Sequence, residues 1–189
     1  MTRLLFIVFL TILFTNVTHV AHALDNSKGR EFTLAFPPNY SATGDLSVFI
    51  TSDHGASGAV EIAGLGFFEE FTVDANSATE VELPSLAQPA EYNVVLDLGV
   101  KVYSDNDISV YGLNYQVGTT DAFLAIPDRS LGTDYFTLSY QASSYLKYPS
   151  QFLIVATSDD TTVYIDGILN GRSLEVKLDA GEVYVSGRN

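Results

Sequence analysis

Carboxylates are the most plentiful titratable side chains of this 189-residue chain, and thiol chemistry is missing from it. There is no Cys, which excludes thiolate nucleophiles, thiolate zinc sites and a disulfide framework. Three histidines are present: His19, His22 and His54. The first two lie in a segment that reads as a leader, which leaves His54 as the single imidazole of the mature chain. One imidazole cannot build a His-rich zinc or copper site. A Ser-His-Asp triad would have to use it. Yet Ser52-Asp53-His54-Gly55 is a polar, glycine-bearing stretch, the setting of an exposed loop histidine. No catalytic residue is assigned.

Carboxylates are plentiful, 23 Asp plus Glu against nine Lys plus Arg. Asp128 and Asp134 flank Leu131-Gly132 and form the candidate pair for glycoside hydrolysis, which needs two facing carboxyl groups. In so acidic a chain such pairs also arise by chance. Ser104-Asp105-Asn106-Asp107 and Ser158-Asp159-Asp160-Thr161 could offer oxygens to Ca²⁺. Both lack the further acids and the glycine of an EF-hand loop, and both read as polar turns between strands. The sequence therefore assigns no metal. It assigns no cofactor either, because no glycine-rich loop opens a helix. Tyr140, Tyr145 and Tyr148 could stack sugars, and tyrosine is equally at home at a sheet rim. Asn39-Tyr40-Ser41 follows Pro37-Pro38, making Asn39 the candidate glycosylation site if the source is eukaryotic.

The formal net charge of −14 argues against nucleic acid and against anionic lipid as partners, since both are held by clustered Lys and Arg. Arg3 is followed by an apolar run, Leu4 to Phe14, too short to span a bilayer, and then by Ala21-His22-Ala23. This is the layout of a secretory signal peptide over residues 1–23, with cleavage after Ala23. No later stretch has the length of a membrane span. The expected compartment is extracellular.

The elements that would position any site read as strands throughout. Alternating or β-branched runs recur every eight to twelve residues between Gly, Asn, Asp, Ser or Pro. They are Glu31–Phe36, Leu46–Thr51, Ala59–Ala63, Phe68–Val73, Thr79–Leu83, Val94–Tyr103, Ile108–Asn114 and Ala122–Ile126. Tyr135–Tyr140, Phe152–Ala156, Thr162–Ile165, Leu174–Leu178 and Val183–Val185 follow. No segment holds helical periodicity over three turns, so the expected fold is all-β, an antiparallel β-sandwich. Stretches near residues 49–53, 59–64 and 79–83 resemble 155–159, 162–167 and 181–185, an internal repeat. The expected organisation is a complete first module over 24–128 and the start of a second over 129–189. That second module would be truncated, with unpaired edges and an uncovered apolar face.

Several segments resemble a known family. Gly29–Tyr40 is similar to the opening of the N-terminal region of IgGFc-binding protein. Val102–Asn114 resembles that family's most recognisable strand pair, and Thr120–Pro127, Leu131–Phe136 and Phe152–Ile165 continue in the family's order. The resemblance implies a secreted binding module. The mammalian protein acts in mucus, binds the Fc part of immunoglobulin G and carries cysteine-rich von Willebrand type D repeats. The family has no catalytic motif to carry over. This chain departs from it in having no Cys, hence no type D repeats, and in stopping before the family's N-terminal region would finish. The reading is a secreted, non-catalytic module for an extracellular or mucus protein or glycoprotein ligand, with immunoglobulin Fc suggested by the resemblance alone. The alternatives are a carbohydrate-binding or bacterial surface adhesin domain, and a glycosidase using Asp128 and Asp134.

Overall fold

The computed structural model describes residues 27–39, 44–138, 151–168 and 172–187. Ala23 and the rest of the leader lie outside them, as do Tyr140, Tyr145 and Tyr148. Among the described residues the fold is all-β and antiparallel, with three short 3₁₀ turns and no α-helix. The first eight strands are β1 (Gly29–Leu34), β2 (Asp45–Ser52), β3 (Ala56–Ile62), β4 (Phe67–Val73), β5 (Ser77–Leu83), β6 (Val95–Asp97), β7 (Val100–Tyr115) and β8 (Asp121–Leu124). Four more follow: β9 (Leu153–Val155), β10 (Thr161–Ile168), β11 (Arg172–Leu178) and β12 (Glu182–Val185).

Alternation places the core. In β2 the side chains of Leu46, Val48 and Ile50 share one face and are buried, while Phe49 and Thr51 point the other way. Two layers close over such faces. One runs β4-β3-β7-β1 and the other β5-β2-β7-β8, so the 16-residue β7 belongs to both. Phe32, Val60, Ile62 and Val102 from the first layer meet Val48, Ile50, Val81 and Val110 from the second. This is a β-sandwich whose layers are joined by a strand that changes sheets.

The change of sheets occurs where the sequence suggested a turn. β3 pairs with β7 as far as Ser104, and β2 pairs with it from Ser109. Ser104–Asp107 is thus a bend within one strand, not a turn between two. Its polar side chains hold the bend in place. Asp105 Oδ1 accepts the Ser57 N–H at 2.8 Å, and Asn106 Nδ2 donates to the Gly55 carbonyl at 3.0 Å. Ser52 Oγ donates to the Asp107 carbonyl at 3.2 Å. Backbone groups that leave one ladder before joining the next are satisfied this way.

The C-terminal strands form a β10-β11 hairpin and a three-stranded sheet, β6-β12-β9. β6, from the first half of the chain, supplies one edge of that sheet. Gly99 lies against it, donating its N–H to the Gly181 carbonyl at 2.8 Å, and a Cβ at Gly99 would run into that carbonyl. Val183 and Val185 pack with Ala35, Tyr92 and Leu98. Leu178, Val176 and Tyr184 pack with Phe152, Ile154, Val163 and Ile165. Residues 135–138, expected as the start of a strand, pair with nothing among the described residues and are not one.

Candidate binding surfaces

Aromatic and aliphatic side chains leave the core on the outer face of the β5-β2-β7-β8 layer. Phe49 stands directly opposite Tyr111, and Tyr111 opposite Leu124, so the three form a row across β2, β7 and β8. Tyr111, Leu124 and nearby Tyr115 are exposed. Rings with an apolar body and a wet hydroxyl suit a contact surface, and contiguous exposed apolar groups mark one. The sequence signal for this row is Phe49 itself, an aromatic residue at an outward position of an otherwise polar-out strand.

A shallow polar hollow of about 310 Å³ lies at one end of the sandwich, between the β2–β3 and β4–β5 turns and the bend of β7. His54 lines it from an exposed loop. The neighbouring Asp53 is paired with Lys28, whose hydrogen bond and charge hold the Asp53 carboxyl below the usual carboxylate range. A second hollow, of about 460 Å³, opens among Asp160, Thr162, Lys177, Leu178, Asp179 and Glu182. The carboxylates of this region cap backbone N–H groups. Asp159 accepts from Ala180 at 3.1 Å, Asp179 from Asp160 at 2.9 Å, and Glu182 from Asp179 at 2.7 Å. No three His, Asp or Glu side chains gather as a metal site among the described residues.

The carboxylates considered for glycoside chemistry have different settings. Asp128, in the 3₁₀ turn after Pro127, accepts the Thr33 N–H at 2.6 Å on one oxygen and the Thr33 hydroxyl at 2.8 Å on the other. It fastens β1 to that turn. Asp134 is exposed and accepts from the hydroxyl of its neighbour Thr133 at 3.2 Å. Asn39, the sequon residue, is engaged too. Its amide nitrogen donates to Asn114 Oδ1 at 2.8 Å and to the Thr119 carbonyl at 3.1 Å, and its oxygen accepts from the Thr119 hydroxyl at 2.6 Å.

After Asp128 the chain runs out along the surface. Tyr135, Phe136 and Leu138 are exposed, the last two at 99% each. Tyr135 uses its hydroxyl to accept the Gly132 N–H at 2.9 Å. This stretch, the second hollow and β8 to β12 all fall within one comparison.

Residues 121–187 match the family model of IgGFc binding protein. That is the family the sequence motifs resemble. The match covers about a third of the chain, and it starts where β8 starts. It is a family of binding proteins and not an enzyme family. No curated protein and no solved structure matches the chain. No helix among the described residues is long and apolar enough to cross a membrane.

Proposed function

We propose that this chain is a secreted, non-catalytic recognition or adhesion module whose ligand is an extracellular or mucus protein or glycoprotein. The observation that carries the reading is the family match over 121–187, in which the matched segment presents exposed Tyr135, Phe136 and Leu138 to solvent. The leader layout of residues 1–23, with cleavage after Ala23, supports secretion. Both oxygens of Asp128 are committed to Thr33, which speaks against its serving as a glycosidase acid and so against the enzyme alternative.

The test is surface plasmon resonance with the secreted chain against mucin glycoproteins, immunoglobulin Fc and a glycan array. The expected result is binding to a protein or glycoprotein that survives removal of its glycans. Glycan-only binding would favour the carbohydrate-binding alternative. Polysaccharide hydrolysis that Asp134→Asn abolishes would sink the non-catalytic reading.

A further inference from the structure

Register orders the outer face of the β5-β2-β7-β8 layer into rows. Glu80, Phe49, Tyr111 and Leu124 stand side by side, one from each strand. The adjoining row is Glu82, Ser47, Leu113 and Ala122. At the next step Tyr115 stands opposite Asp45. All of these alternate with Val48, Val81 and Val110, which fill the core, and so point away from it. Side chains directly opposite on antiparallel strands are within contact reach, so the apolar groups make one strip. Tyr111, Tyr115 and Leu124 are 42%, 47% and 45% exposed. The outer face of the other layer has no such strip. Phe68 and Tyr103 are exposed there, but Phe68 shares its row with Glu61 and Lys101, and Tyr103 lies in a different row, beside Ala59.

The charges on this face have one sign. Glu80, Glu82 and Asp45 are exposed, and none of them forms an ion pair among the described residues. β2, β5, β8 and residues 108–115 of β7 carry no Lys, Arg or His. The apolar strip is thus bounded on its β5 side by two carboxylates with no counter-charge of their own. That pattern selects the occupant. Anionic lipid is repelled. A second copy is disfavoured, because the chain carries a formal charge of −14 and a two-fold contact would turn this same acidic face toward itself. The complementary surface is apolar where it meets Phe49, Tyr111 and Leu124, and basic where it meets Glu80 and Glu82.

We infer that this face docks a partner protein through a segment of aliphatic or aromatic residues preceded or followed by Lys or Arg. The segment lies across the strands, its basic end toward β5 and its apolar end toward β8. Tyr111 is the central anchor, with Phe49 on one side and Leu124 on the other. A tyrosine ring offers a large apolar body at small entropic cost and keeps its hydroxyl wet. The apolar contact supplies the affinity, and Glu80 and Glu82 set the orientation and reject acidic partners. Leu124 lies inside the segment that matches the family, and the other anchors lie outside it. The inference rests on the proposed binding function only in taking the partner to be a protein.

The experiment is NMR titration of the full secreted chain, isotope-labelled, with three synthetic peptides: KKLFLS, the charge-reversed EELFLS, and KKSSSS, which lacks the apolar residues. KKLFLS is expected to shift the resonances of Phe49, Tyr111, Tyr115, Leu124, Glu80 and Glu82, and to leave those of Phe68 and Tyr103 in place. Tyr111→Ser, an exchange at an exposed position, is expected to weaken binding about tenfold at unchanged melting temperature. Glu80→Lys with Glu82→Lys is expected to reverse the preference, so that EELFLS binds more tightly than KKLFLS. No shift on this face at millimolar KKLFLS, or equal affinity for EELFLS or KKSSSS, overturns the inference. Shifts in the chain alone that grow with its own concentration assign the face to a second copy and overturn it too. The same shifts from chitohexaose, with none from KKLFLS, assign it to a glycan and overturn the protein partner. A ligand from the binding panel held equally well by wild type and Tyr111→Ser leaves the proposed function standing and overturns this face. Binding of KKLFLS without any hit in the panel leaves the face standing and counts against the proposed function instead.

Discussion

Asp128 holds Thr33 with both of its carboxylate oxygens, one on the backbone N–H at 2.6 Å and one on the hydroxyl at 2.8 Å. The two residues are 95 positions apart, so this clamp ties β1 to the 3₁₀ turn that follows β8. Asp128→Ala leaves a part-buried N–H and hydroxyl without their acceptor. The expected loss is about 1–3 kcal/mol of unfolding free energy, seen as a lower denaturant midpoint with unchanged slope. Asp128→Asn keeps one acceptor and is expected to lose less. A variant of wild-type stability would show that the clamp is idle.

Asn39 and Asn114 tie three segments together at the far end of β7. Asn114 is buried, donates to the Pro37 carbonyl and to Gln88 Oε1, both at 3.2 Å, and accepts from Asn39. Asn114→Ala is expected to cost about 1–3 kcal/mol, because it removes three hydrogen bonds made by a buried amide. A glycan at Asn39 replaces a hydrogen of an amide nitrogen that already donates twice. Chain carrying that glycan is therefore expected to melt below chain without it, by the loss of one hydrogen bond, about 1 kcal/mol. Mass spectrometry of material from a glycosylating host, followed by calorimetry of both forms, checks this.

The Lys28–Asp53 pair sets a pH dependence with a definite sign. Lys28 lowers the folded-state pKa of the Asp53 carboxyl below its unfolded value. The contribution is then present above the unfolded pKa and is lost as pH falls through the folded one. Wild type minus Asp53→Asn should accordingly show a stability gap at neutral pH that closes in acid. The pair is exposed, so the gap should be small and should shrink in high salt. A gap that widens toward low pH would contradict the assignment.

Alternation made nearly all of the strands legible, because a half-buried strand writes its two faces into successive residues. Leu46, Val48 and Ile50 are an instance. The misreading at Ser104–Asp107 has a physical source. Four polar residues between two apolar runs look the same whether the chain turns back or bends from one layer into another. What decides it is Ser57, Gly55 and Ser52, which meet the bend from other strands. The pairing of β6 with β12 was likewise out of reach, since Val95–Asp97 is three residues long and its partner lies at 182–184. Asp128 was visible as a carboxylate, but nothing local to it names Thr33. The exposed row of Phe49, Tyr111 and Leu124 was not read from the sequence, because Tyr111 and Leu124 join Phe49 only through register.

Phe32 and Phe136 sit in the same tripeptide, Phe-Thr-Leu, and in opposite surroundings. Phe32 lies in the sandwich core beside Val102, its cross-strand partner. Phe136 lies in solvent. Phe32→Ala removes a packed ring and leaves a cavity, and about 3–5 kcal/mol is the expected cost. Phe136→Ala removes no contact of that kind, and the expected change is within about 0.5 kcal/mol. Its effect should fall on association instead, because a fully wet Phe and Leu form a sticky segment. Phe136→Ala with Leu138→Ser is expected to raise solubility at unchanged melting temperature. Paired melts and static light scattering of the wild type and the three variants read both quantities at once. Equal destabilisation by Phe32→Ala and Phe136→Ala would place Phe136 in a core, and would remove the contrast between the two halves of the chain.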